Sequence, residues 1–199
     1  SNKYLITSIY YKNLKNLGSN ELLGYSAYIF FGGKMSANSQ SEVINNEFIF
    51  LKKLIKSNKL IIGICLGAQL IAKIYGSKIY KNKNDLVEIG YRKLDKINEK
   101  FFKNVSSMLQ FHNEGITYNS HMSIYAKGRN FEIDAFKIKK KKIYGFQFHP
   151  EVNESMIKNW YSNLSSLKKG TDSLSKILLD HKKNCEKNYK WLSNFLYKV

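Results

Sequence analysis

Proline is nearly missing from this chain: Pro150 is the only one among 199 residues. Proline-rich linkers and polyproline recognition segments are therefore excluded. Cysteine is scarce too. Cys65 and Cys185 lie far apart and make no disulfide framework, so a reducing compartment is expected. No apolar run approaches the ~20 residues needed to span a bilayer, and no charged-then-apolar leader opens the sequence. The expectation is a cytoplasmic protein with no membrane partner. Acidic residues number only 15 against 33 basic ones, a formal charge of +18 that invites a nucleic-acid reading. Arginine, however, is almost absent: Arg92 and Arg129 are the only two, and the lysines are scattered. Asparagine, isoleucine and tyrosine are plentiful as well, the signature of a compositional bias that spreads lysine over any solvated face. Nucleic acid is set aside as a partner, while an acidic protein or an anionic substrate stays open. Histidines, cysteines and acids do not cluster at zinc spacings, and no G-x-x-x-x-G-K-S/T phosphate loop occurs, so neither metal nor cofactor is expected.

What is present centres on Ile61-Ile62-Gly63-Ile64-Cys65-Leu66-Gly67-Ala68-Gln69. The apolar run Leu60 to Ile62 suits a buried strand. Leu66, Leu70, Ile71 and Ile74 then recur at helical spacing through Tyr75. A strand that turns abruptly into a helix needs a strained corner, and glycines on either side let neighbouring backbone approach closely. The corner side chain projects from the C-terminal edge of the sheet, where open α/β sheets place their sites. The first amides of the helix point at it and favour a thiolate there. A buried, inert cysteine is the bland alternative. Against it stands Phe146-Gln147-Phe148-His149-Pro150-Glu151-Val152, which places a histidine and a carboxylate two residues apart. In an extended segment such residues point the same way, and Pro150 stiffens the geometry.

Together these two segments resemble the signatures G-x-C-x-G-x-Q and F-H-P-E of the class I (triad-type) glutamine amidotransferases. Glu88-Ile89-Gly90-Tyr91 is similar to the E-I-G-W/Y segment of the stand-alone, GMP-synthase-like subgroup. The resemblance runs from about Gly33 to the helix after Glu151. It implies a flavodoxin-like three-layer α/β/α sandwich with a largely parallel central sheet plus β-hairpin additions. It implies one domain over residues 1–199, lacking a strand and crossover that relatives usually carry before the segment matching Lys3 to Tyr11. Cys65 is then the nucleophile, His149 the proton carrier and Glu151 the group that orients it. Gly32-Gly33, followed here by Lys34-Met35-Ser36, is similar to a G-G-x-M-S variant, and the N–H groups of Gly33 and Leu66 become the oxyanion hole. Gln69, one helical turn after Cys65, is implied to contact glutamine. Glu88 and His112 are candidates for lining the pocket, although the usual H-G-D is replaced by His112-Asn113-Glu114.

The implied activity is hydrolysis of the glutamine γ-amide through a thioester, giving glutamate and ammonia. No S-G-G-x-D-S pyrophosphatase signature follows, so a separate synthetase subunit is the expected acceptor-activating partner. A γ-glutamyl peptide or amide hydrolase, and a non-catalytic binding protein on the same fold, remain open alternatives at this point.

Elsewhere the patterns predict strands over Lys3 to Tyr11, Ala27 to Phe31, Ile79-Tyr80, Val87 to Leu94 and Met108 to His112. A helix is expected over Glu42 to Ser57, capped by Ser41, with Gly76 ending the elbow helix. Glu132 to Ile138 and Lys142 to Phe148 read as a hairpin across the Lys139 to Lys142 run. Helices are expected from Met156 onward, with Trp160, Trp191 and Phe195 packing onto the sheet. His121 and His181 read as solvated surface residues.

Overall fold

A computed structural model describes residues 6–10, 14 and 24–199. In chain order the elements are β1 (Ala27–Phe30), α1 (Glu42–Ile55), β2 (Leu60–Ile64), α2 (Leu66–Ile74), β3 (Ile79–Lys81), β4 (Glu88–Lys93), β5 (Asp95–Lys96), β6 (Ser107–His112), β7 (Glu114–Ile116), β8 (Met122–Lys127), β9 (Ala135–Ile138), β10 (Ile143–Phe146), α3 (Glu154–Ser162) and α4 (Leu174–Lys198). Of the strand expected over Lys3 to Tyr11, residues 6–10 have no regular secondary structure; the rest lies outside the described residues.

The central sheet has the order β1-β2-β10-β9-β8-β5. Its site-bearing half is parallel: β2 lies between β1 and β10, with Gly63 level with Phe30 on one side and Gly145 on the other. From β10 outward the pairings to β9, β8 and β5 are antiparallel, beginning with the hairpin across the lysine turn. Two small sheets, β3-β7 and β4-β6, stand beside it.

Alternation along β2 assigns the layers, because successive side chains on a strand face opposite ways. Ile61 joins the core under α1 and α2, together with Tyr28, Phe30, Leu51, Leu54 and Leu70. Ile62 and Ile64 face the opposite core, where Phe146, Phe148, Trp191 and Phe195 gather. Helices therefore cover both faces, α1 and α2 on one and α4 on the other. Ser41 caps α1 by accepting from the Ile44 N–H, and Gly76 ends α2 with φ +96°.

Three expectations need correction. His181 is buried, and its Nδ1 lies 2.8 Å from the Tyr91 hydroxyl, because α4 turns that face onto β4. Trp160 packs on Phe111 and His149 instead of on the central sheet. The hairpin strand stops at Phe146, and residues 147–149 continue as irregular backbone. Among the described residues no helix is long and apolar enough to cross a membrane.

Candidate active site

The corner between β2 and α2 is built by what its glycines leave out. A Cβ at Gly63 would come within 2.5 Å of the Ala68 nitrogen, and one at Gly67 within 2.2 Å of the Phe30 carbonyl oxygen. The turn can therefore close only with hydrogen at both places. Cys65 between them takes φ +50° and ψ −106°, a conformation that costs roughly 1–3 kcal/mol and persists where its surroundings enforce it. Its N–H donates to the Phe146 carbonyl (2.7 Å), which ties the corner to the end of β10. Leu66 opens α2, so its N–H has no acceptor inside the helix.

The segment after β10 supplies the other half. Phe146 and Phe148 stack on one another in the α4-side core, with ring centroids 5.4 Å apart. The intervening Gln147 and the following His149 sit on the other side of the segment. Two backbone bonds fix this course: Gln147 N–H to the Asp134 carbonyl and His149 N–H to the Leu109 carbonyl of β6, both 2.8 Å. His149 is buried, and its Nδ1 lies 2.8 Å from Glu151 Oε1. Trp160 closes its outer side edge-on, 4.8 Å between centroids.

Gly32 brings the two halves together. A Cβ placed there would lie 2.9 Å from His149 Cε1 and 3.4 Å from Cys65 Cβ. The exposed Gly32-Gly33 lip thus sits directly over the cysteine and the histidine. Gly33 neighbours Leu66, whose Cδ2 would be 3.1 Å from an added Cβ. Burial alone would lower the pKa of His149, but the Cys65 sulfur and the Glu151 carboxylate outweigh it and raise it to about 10. The imidazole here is a proton holder between a sulfur and a carboxylate.

The remaining expected residues form a buried polar chain behind the sulfur. Gln147 Nε2 lies 3.6 Å from Cys65 Sγ, and Gln147 Oε1 accepts from Gln69 Nε2 (3.3 Å). Gln69 Nε2 also donates to the Glu114 carbonyl (3.1 Å), which is 2.9 Å from His112 Nδ1 as well. The Glu114 carboxylate accepts from Ser36 Oγ (2.9 Å), fastening the lip segment to β7. Glu88 is wholly buried; it accepts from Asn130 (2.7 Å) and approaches His112 Nε2 at 3.6 Å. Burial lowers His112 to about 3, with its bond to Glu114 offsetting only part of the effect. Burial also raises Glu88, against the pull of Asn130, Arg92 and Arg129. The Glu88–His112 approach is thus one between groups drawn toward their neutral forms, not an ion pair. Asp134 is raised well above the carboxylate range by burial and by the nearby Glu88.

Sequence patterns alone did not single out Gln147, Ser36, Glu114, Asn130 or Asp134. Gln147 carried a usable signal: it lies two residues before His149, on the same side of an alternating segment. The others come together only through the pairing of β4 with β6 and of β3 with β7. Among the described residues no group of three or more potential metal ligands is gathered.

Comparison with known proteins agrees with this geometry. Residues 3–164 match the family described as glutamine amidotransferase class-I. One separate subunit of GMP synthase (glutamine-hydrolyzing), from Saccharolobus solfataricus, is 28% identical over 160 residues, covering 72% of this chain and 82% of that one. GMP synthase (glutamine-hydrolyzing) from Chlamydia muridarum is 32% identical over 138 residues, 65% of this chain but only 25% of that protein. The chain thus matches about a quarter of that longer relative. A crystal structure of a glutamine amidotransferase from Thermotoga maritima superposes with a TM-score of 0.64 at 27% identity, covering 83% of this chain and 71% of that one.

Proposed function

Since this chain belongs to the class-I glutamine amidotransferases, we propose that Cys65, His149 and Glu151 form the triad with which it hydrolyses the γ-amide of glutamine. The observation that carries the reading is the position of His149. It is buried between the strained cysteine and a carboxylate 2.8 Å away, under a glycine lip that leaves room for a reacting carbonyl.

The raised pKa of His149 supports a resting state with the proton already on the imidazole. The Cys65 sulfur attacks the γ-carbon, and the carbonyl electron pair moves onto oxygen, held by the N–H groups of Gly33 and Leu66. When the tetrahedral centre collapses, the C–N bond breaks and His149 gives its proton to the leaving nitrogen, so ammonia departs and a γ-glutamyl thioester remains. His149, now neutral, takes a proton from water as its oxygen attacks the thioester. Glutamate leaves and the sulfur is regenerated. Glu151 holds the ring in the tautomer this needs. Gln69 faces the substrate side chain, while Glu88 and His112 brace the wall behind it.

The relatives that are themselves separate GMP synthase subunits favour a separate synthetase subunit here too, one that consumes the ammonia. The test is ammonia release from glutamine by the wild type and by Cys65→Ala, with and without a glutamine-like chloroketone. Release by the wild type alone, and a covalent adduct on Cys65, are expected. A folded wild type that releases no ammonia and takes up no chloroketone would overturn the reading.

A further inference from the structure

We infer that Gln147 is a positioning residue for the Cys65 thiolate, donating a hydrogen bond from its carboxamide to the sulfur while its oxygen holds Gln69 in place. The inference takes Cys65 to be a nucleophile, as proposed above, but does not depend on which amide it attacks.

The polarity of the network fixes which end of the carboxamide faces the sulfur. A backbone carbonyl can only accept, so Gln69 must turn its NH2 group toward the Glu114 oxygen, 3.1 Å away. The same Gln69 nitrogen lies 3.3 Å from Gln147, so the Gln147 atom facing it is the oxygen. Its NH2 group is then left pointing at Cys65 Sγ, at 3.6 Å, an ordinary separation for a bond to sulfur. Gln147 is only 1% exposed, and its backbone is pinned at both ends by the bonds that anchor Asp134 and Cys65 to this segment. A carboxamide donor buried without a partner is costly. Here the sulfur is that partner, and a bond to a charged acceptor is worth more than one to a neutral thiol.

The other groups around the sulfur leave this job to Gln147. From the segment after β10 come His149 and, behind it, Glu151. From the first turn of α2 come Leu66, Gly67, Ala68 and Gln69, none of which titrates. The lip contributes Gly32 and Gly33, with Lys34 exposed beyond them. Glu114 and His112 stand one residue further back, beyond Gln69. His149 alone would hold the sulfur from one side, and Gln147 holds it from the opposite arm of the same alternating segment.

Gln147→Met keeps the length and removes the donor; Gln147→Glu keeps the shape and replaces the donor with an acceptor. The measurement is the rate of iodoacetamide alkylation at the Cys65 peptide as a function of pH, without glutamine, beside a thermal melt. In a folded Gln147→Met protein, alkylation at neutral pH is expected to slow about tenfold and to recover to the wild-type rate at high pH. Gln147→Glu is expected to slow it further, and Cys65→Ala to abolish it. An unchanged pH profile in a folded Gln147→Met protein would overturn the inference, as would a rate lowered equally at every pH, which signals altered access. If the wild type is alkylated but does not hydrolyse glutamine, the proposed function fails while these profiles still decide the role of Gln147.

Discussion

Two histidines in this molecule are equally buried and behave in opposite ways. His149 is raised to about 10 and His112 is lowered to about 3. Burial pushes both down, so burial does not make the difference. His149 lies between the Cys65 sulfur and the Glu151 carboxylate, both of which favour its charged form. His112 has a carbonyl, a carboxamide and a carboxyl drawn toward neutrality around it. A triad and a pocket wall are thus built from the same residue type a short distance apart. What separates them is whether the neighbours carry charge. Sequence motifs had nominated both histidines on similar grounds.

The comparison breaks most directly at the histidines themselves. His149→Gln is expected to lower glutamine turnover by about 10³-fold or more, whereas His112→Gln lowers it less than about tenfold; steady-state ammonia release measures both. Comparable losses would place His112 in the proton path and dissolve the distinction. Glu151→Gln is the next largest, with kcat down about 10²-fold. Because it removes one of the influences that raise His149, the alkaline limb of the pH–rate profile should move to lower pH. Gly32→Ala sharpens the geometric side of the contrast. Its methyl would meet His149 at 2.9 Å, so turnover should fall about 10²-fold while the melting temperature changes little.

The smallest effect is in stability. His112 is neutral in the folded protein, and the unfolded chain binds a proton there more readily. Its contribution therefore counts against the fold progressively as pH falls from the ordinary histidine value of 6.5 to about 3. His112→Gln should carry the midpoint of acid unfolding down by roughly 0.3 pH unit, followed by circular dichroism. For His149 the sign is reversed: its stabilising share is complete below 6.5 and is lost as pH rises through about 10.

Much of this was legible in the chain because it rested on local rules. The elbow could be read from Gly63, Cys65 and Gly67, since only a tight corner with close neighbours needs that spacing. The helix at Glu42 announced its cap, and the lysine run announced its turn. His149 and Glu151 were marked by alternation. The parts that sequence missed depend on long-range pairing. Nothing near His181 in the chain says that Tyr91 waits for it 90 residues away. Nothing near Trp160 says that it will lean on His149 instead of the main sheet. Asp134 and Asn130 look like loop polar residues until β4 and β6 pair, which buries Glu88 and obliges it to find partners.

The segment from Phe146 to His149 is both floor and instrument. Phe146 and Phe148 are wedged among Trp191 and Phe195, so the helix that closes the described chain grips the strip on which Gln147 and His149 are mounted. A loosened Trp191 would rock that strip before anything melted. In such a molecule turnover is a strain gauge for packing: damage to the far face should show itself in chemistry at temperatures where every helix is still intact.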